Sequence, residues 1–86
     1  MGSYKVSFRK SAEKELRKIH APDLRRLVDK IGALSNNPRP PGIQLLKGED
    51  RYYRIRQGDY RVVYEVDDSE RGVIVIKVGH RREIYR

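Results

Sequence analysis

The sequence predicts an α+β fold: an N-terminal strand, a helical hairpin and then an antiparallel β-meander, with the two helices packed on one face of a small sheet. Three observations carry this. The apolar period changes from 2 to about 3.6 residues after residue 9. A proline-rich break lies at residues 38–42. Beyond the break, β-branched and aromatic residues recur in short runs as far as residue 79. A chain of 86 residues is too short for two cores, so residues 1–86 are read as one small domain. Its 37% of apolar residues suffice for one thin two-layer core.

Tyr4, Val6 and Phe8 alternate with Lys5, Ser7 and Arg9, so residues 4–9 read as a strand buried on one face. Ala12, Leu16 and Ile19 then fall at i, i+4 and i+7, one stripe of a helix from near Ser11 to near His20. Pro22 suits the first turn of a second helix, where a missing N–H leaves no bond unmade. Leu24, Leu27, Val28, Ile31 and Leu34 mark its apolar stripe, and Asn36, Asn37 and Pro38 stop it. Residues 38–42, Pro-Arg-Pro-Pro-Gly, form a stiff connector that is neither helix nor central strand. Three strands follow, at residues 52–57, 60–67 and 73–79. Gly58-Asp59 is a two-residue hairpin turn with glycine first, and residues 68–72 form a longer polar loop. There is no internal repeat, low-complexity tract or linker.

Composition excludes several classes. There is no cysteine, so neither a disulfide scaffold nor a cysteine-based zinc site is available, and two separated histidines supply little of a metal shell. No metal and no cofactor are expected. No apolar run approaches the roughly 18–20 residues of a membrane span, no signal-peptide core stands out, and Val6 occupies the place a myristoylation site gives to Ser or Thr. A soluble, cytoplasmic protein without a membrane partner is the expectation. The 20 Lys and Arg against 12 Asp and Glu give a net charge of +8, which points to a polyanionic partner through counterion release. Residues 1–43 carry 10 basic and 4 acidic residues; residues 44–86 carry 10 and 8, with most of those acids in turns. The C-terminal strands therefore keep arginines with little local neutralisation.

Strand parity sharpens this. A two-residue turn at Gly58-Asp59 sets Arg56 opposite Arg61, Ile55 opposite Val62, Arg54 opposite Val63 and Tyr53 opposite Tyr64. Tyr53, Ile55, Val62 and Tyr64 then face the helices, and Arg54, Arg56 and Arg61 face away. Setting Asp67 opposite Val73 extends the pattern. It puts Val66, Ile74, Ile76 and Val78 in the core and Lys77 and Arg81 on the arginine face. Charged residues are ordinary on the outer face of a half-buried sheet, but like charges set directly opposite cost roughly 0.2–1 kcal/mol. Arg56 against Arg61 is such a pair, and an incoming anion gives it a purpose. The fork of guanidinium donors matches phosphate and stacks on bases, so nucleic acid is the preferred ligand.

Tyr85, beside Arg81, Arg82 and Arg86, is placed to stack on an unpaired base, a contact worth about 1–3 kcal/mol. Tyr52 lies on the arginine face and is a second stacking candidate. Lys14, Arg17, Lys18 and Arg25, with the other helical cations, read as solvated faces or as contacts to an RNA backbone away from the site. His80 is the candidate acid or base near neutral pH, although parity turns it toward the core side. Glu65 falls on the arginine face and most simply neutralises a neighbouring arginine.

Tyr53-Arg54-Ile55-Arg56, Gly58-Asp59-Tyr60-Arg61-Val62-Val63-Tyr64 and Val78-Gly79-His80-Arg81-Arg82-Glu83-Ile84-Tyr85 resemble the bacterial and archaeal RelE toxins. The opening strand, the Ala12–Leu16 helix and Leu46-Lys47-Gly48 agree as well, so the resemblance covers nearly the whole chain. It implies a type II toxin: a metal-independent endoribonuclease, or mRNA interferase, that enters the A site of the 70S ribosome, cleaves mRNA and inhibits translation. In that chemistry the 2′-hydroxyl attacks the adjacent phosphate, leaving a 2′,3′-cyclic phosphate and a new 5′-hydroxyl. Carried over by position, Arg54 and Arg56 stand where well-known relatives have lysines, one of them a proposed base. Arg61 would stabilise the phosphorane, Arg81 would act as acid or phosphate clamp, and Tyr85 would orient a base. Arginine, with a pKa above about 12, is a poorer proton acceptor than lysine. Some relatives use a Glu/His pair; here the histidine is His80, but the carboxylate position falls on Gln44. The resemblance also implies a RelB-like antitoxin, with operator DNA bound only through that complex. Two other readings stay open: the related ParE branch, which inhibits DNA gyrase, and a catalytically silent ribosome- or RNA-binding module.

Overall fold

The computed structural model describes residues 3–46 and 52–80. In chain order the elements are β1 (Lys5–Phe8), α1 (Lys10–Arg17), α2 (Asp23–Gly32) with a 3-10 turn at Ala33–Ser35, β2 (Gln44–Leu45), β3 (Tyr52–Gln57), β4 (Tyr60–Asp67) and β5 (Gly72–His80). The strands form one sheet in the order β1-β5-β4-β3-β2, with β1 parallel to β5 and the other neighbours antiparallel. Both helices lie on one face, giving the α+β architecture that the change of period indicates.

The core forms where the two apolar patterns meet. Ala12 and Ile19, Leu27 and Ile31 of α2, and Leu34 of the 3-10 turn pack on Tyr53, Ile55, Val62, Tyr64, Val66, Val73, Val75 and Val78. Val28 belongs to the apolar stripe in the sequence, yet it is half exposed, so the buried stripe is narrower than its spacing indicates. Phe8, expected on the buried face, is likewise 37% exposed at the end of a short edge strand.

The β3–β4 hairpin has the register read from the sequence, with Arg56 opposite Arg61, Ile55 opposite Val62 and Tyr53 opposite Tyr64. Gly58 has φ +61 and is followed by Asp59 on the ordinary side of φ, the turn geometry that only glycine adopts cheaply at its first position.

The β4–β5 register corrects an expectation. Gly72, not Val73, lies opposite Asp67, so Val73 and Val75 are buried and Ile74 and Ile76 are not. The pairing then slips, with Tyr64 opposite Val75 but Val63 opposite Lys77, which leaves Ile76 as the extra residue of a β-bulge. The bulge restores the expected parity for the end of the strand: Val78 turns into the core and Lys77 to the outer face. Ser11 at the start of α1 donates to the Ile76 carbonyl at 3.4 Å, seating the helix over the irregularity.

A polar clasp fixes the proline-rich connector. The Arg39 guanidinium grips the Asp68 carboxylate through both terminal nitrogens, at 2.8 and 3.2 Å, while its Nε donates to the Tyr53 hydroxyl at 2.9 Å. Tyr4 donates to the same carboxylate at 2.8 Å, and the buried Tyr64 hydroxyl donates to the Pro38 carbonyl at 2.7 Å. These bonds tie the connector to β3, β4 and the β4–β5 turn, and Tyr4, just before β1, shares the Asp68 carboxylate. Arg39, followed by Tyr4, holds the Asp68 carboxyl below the usual carboxylate range. Burial is the main cause that pushes the Tyr64 phenol up. A depressed folded-state pKa contributes stability above the ordinary value of about 4 and loses it as pH falls through the folded value. Asp68→Asn is therefore expected to unfold at a lower temperature than wild type at pH 7, with the gap closing below about pH 4. Thermal unfolding of both proteins across that range checks it; a constant gap would contradict the ion pair's role.

Candidate functional site

Three rows of side chains cross the sheet face that lies away from the helices. Arg56 and Arg61 form one with Gly79. Gln44, Arg54, Val63 and Lys77 form the next. Tyr52, Glu65 and Ile74 form the third. Arg54 and Arg56 are two residues apart on one strand, so they project on the same side about 6–7 Å apart. Arg54, Arg56 and Arg61 meet at a polar cavity of about 160 Å³, lined also by Gly42, Gln44 and Ile55.

The three arginines are held differently. Arg61 is 6% exposed, and its Nη1 donates to the carbonyls of Tyr60 at 3.2 Å and Gly58 at 3.5 Å. The hairpin turn thus supplies the acceptors that steer it, and burial limits how far water screens its charge. Arg54 is half-buried, and its Nη2 donates to Oε1 of Gln44. Arg56 is exposed on the cavity wall, directly opposite Arg61.

Lys77 is exposed in the same row as Arg54, and Tyr52 is half-buried opposite Glu65. The other candidates stand elsewhere. His80 pairs with Tyr60 on the helix side of the sheet, their rings edge to face at 5.8 Å, in a recess with Glu15, Lys18 and Ile19. As a candidate acid or base for the arginine face it is corrected by geometry: the parity of β5 carries its side chain to the opposite side. Lys14, Arg17, Lys18 and Arg25 are exposed on the helical layer, with Arg17 3.8 Å from Glu13 and Lys18 3.4 Å from Glu15. A ligand small enough for the cavity cannot reach them, whereas a partner that wraps the molecule can. Arg81, Arg82 and Tyr85 lie outside the described residues.

Two lining residues, Gly42 and Gln44, were not legible as site residues from residue pattern. Gly42, at φ +90, turns the end of the connector into β2, and Gln44 reaches Arg54 only because β2 pairs with β3. A two-residue strand carries no alternation to detect. For Gln44 the one signal was the family resemblance, which sets it at the carboxylate position of some relatives.

Chemically, the cavity concentrates positive charge and guanidinium donors, the requirement for binding a phosphodiester and stabilising added negative charge on it. Among the described residues that line it, none is a histidine or a carboxylate.

Comparison with known proteins gives the family relationships of the chain. The family model for the ParE toxin of the type II toxin–antitoxin system parDE matches residues 6–85. Toxin RelG of Mycobacterium tuberculosis is 33% identical over 96% of this chain and 97% of its own length. The mRNA interferase toxin RelE of Escherichia coli is 34% identical, covering 96% of this chain and 90% of that one. In the crystal structure of the archaeal RelE–RelB complex from Pyrococcus horikoshii, the matching chain superposes with a TM-score of 0.82. It is 28% identical and the match covers 92% of this chain and 96% of that chain.

Proposed function

The chain belongs to the ParE/RelE family of type II toxin–antitoxin toxins and is a RelE-type toxin, and from that premise we propose that it is a metal-independent endoribonuclease that cleaves mRNA in the ribosomal A site. The observation that carries the reading is the convergence of Arg54, Arg56 and Arg61 on one cavity of the open sheet face. In the reaction the 2′-oxygen forms a bond to the adjacent phosphorus as its proton leaves. The bond from phosphorus to the 5′-oxygen breaks, and that oxygen takes up a proton. The products are a 2′,3′-cyclic phosphate and a 5′-hydroxyl.

Arg61, anchored on the hairpin turn, supplies fixed positive charge to the pentacoordinate phosphorane, and Arg54 and Arg56 clamp its other oxygens. With arginines in place of proton-accepting side chains, catalysis rests chiefly on charge stabilisation and on in-line positioning of the mRNA by the ribosome. Lys77 extends the cationic track, and Tyr52 offers a ring for a base. Arg81, Arg82 and Tyr85 are assigned to the same RNA by the family resemblance. Lys14, Arg17, Lys18 and Arg25 meet the ribosomal RNA backbone. A RelB-like antitoxin is the cognate partner, as in the Pyrococcus complex, and operator DNA is bound through that complex. No helix among the described residues is long and apolar enough to cross a membrane, and the ribosomal target places the toxin in the cytoplasm.

One observation favours a second reading, inhibition of DNA gyrase: the matching family model is the one described for ParE. A gyrase inhibitor has no need of a phosphate-sized cationic cavity, and the curated relatives above carry RelE-type names. Cell-free translation and gyrase supercoiling, each titrated with the purified toxin, separate the two. Blocked translation with unaffected supercoiling is expected, and Arg61→Ala and Arg81→Ala are each expected to restore translation. The reverse pattern would transfer the protein to the gyrase branch.

A further inference from the structure

We propose that Gln44 is a positioning residue for Arg54, its side-chain carbonyl setting the direction in which the guanidinium meets the scissile phosphate. The inference rests on the RNA-cleaving reading above. Gln44 is directly opposite Arg54 in the β2–β3 register, its Oε1 accepts from Arg54 Nη2, and both side chains line the cavity with Arg56 and Arg61.

The backbone under Gln44 is restrained on both sides. Upstream, Arg39 anchors the connector to Asp68 and Tyr53, and the Ile43 N–H donates to the Pro40 carbonyl at 3.4 Å. Downstream, the Leu46 N–H donates to the Tyr52 carbonyl at 2.9 Å. A two-residue strand so pinned fixes the backbone from which the exposed Gln44 side chain reaches Arg54.

The choice of side chain has a chemical reason. A long arginine on an open strand samples many rotamers, and an acceptor held in place removes most of them before substrate arrives. An amide does this without adding a negative charge to the cavity. Some relatives that this chain resembles have the carboxylate of a Glu/His pair at this place, but here His80 lies with Tyr60 on the opposite side of the sheet. A carboxylate would therefore orient Arg54 while repelling the incoming phosphate, without a histidine to work with. Gln44 thus works through Arg54, not on the RNA itself.

The test is a double-variant cycle, read as cleavage kinetics of mRNA on programmed ribosomes, with wild type, Gln44→Ala, Arg54→Ala and the double variant. Gln44→Ala is expected to lower kcat about tenfold with its unfolding temperature unchanged, and to cause no further loss once Arg54 is alanine. Gln44→Glu is expected to raise KM more than it lowers kcat, and more steeply at low salt. Losses that multiply in the double variant would overturn the assignment, as would a Gln44→Glu protein with wild-type kinetics. mRNA left intact by the wild-type protein would instead overturn the cleavage reading, so the two failures are told apart.

Discussion

Arg61→Ala is expected to lower ribosome-dependent cleavage by about 10²–10³-fold, the loss typical of removing one preorganised donor to a developing charge. Arg61 meets the conditions for an effect of that size. It is buried, so its charge is weakly screened, and the carbonyls of Gly58 and Tyr60 hold its guanidinium before any substrate binds. Little reorganisation is then left for the moment of reaction. Because the side chain is buried, alanine could also loosen the hairpin. Arg61→Lys separates the effects: it keeps the charge and the stem but loses the planar fork. A lysine variant that unfolds like wild type yet cleaves at least tenfold more slowly locates the deficit in phosphate recognition. Wild-type cleavage by a folded Arg61→Ala protein would remove Arg61 from the site.

Arg56→Gln is expected to separate stability from activity. Arg56 is exposed and stands directly opposite Arg61, a like-charge pair that a sheet penalises by roughly 0.2–1 kcal/mol. Replacing it relieves that repulsion, so the unfolding temperature should stay the same or rise by a few degrees, about 4–8 °C per kcal/mol in a domain of this size. Cleavage should fall about 10–100-fold, since one of the three arginines that line the cavity among the described residues is gone. Thermal unfolding and cleavage on the same preparation read both quantities. A variant that loses stability and activity together would show that Arg56 supports the fold, not the reaction.

What the sequence reveals of this site depends on how locally each contact is determined. The β3–β4 register was legible because Gly58-Asp59 leaves one way to close the hairpin, and every side chain on both strands then follows by alternation. The register of β5 was not. Val73, Ile74, Val75 and Ile76 are all β-branched aliphatics, so either parity gives an apolar core face, and the loop before them tolerates a shift of one residue. A regular strand read through that segment has the right faces for Lys77 and Val78 only because the bulge at Ile76 compensates for the shift. The helical hairpin was legible from its period, but the clasp beneath it was not. Arg39 sits between two prolines in a segment with no periodicity, and its partners Asp68 and Tyr53, with Tyr4 on the same Asp68 carboxylate, come from three distant parts of the chain. The same holds for Gln44, whose proximity to Arg54 exists only once the sheet edge has formed. The arginine cluster itself was legible, since its members share one hairpin.

The most direct measurement is primer extension on an mRNA held in translating ribosomes, with and without the purified toxin. New 5′ ends at A-site codons, present with wild type and absent with folded Arg61→Ala, are the expected result. They would join the arginine cavity to the chemistry in one experiment. Intact mRNA in the presence of wild-type toxin that still arrests growth would contradict cleavage. So would cuts that persist unchanged in Arg61→Ala, which would contradict the site.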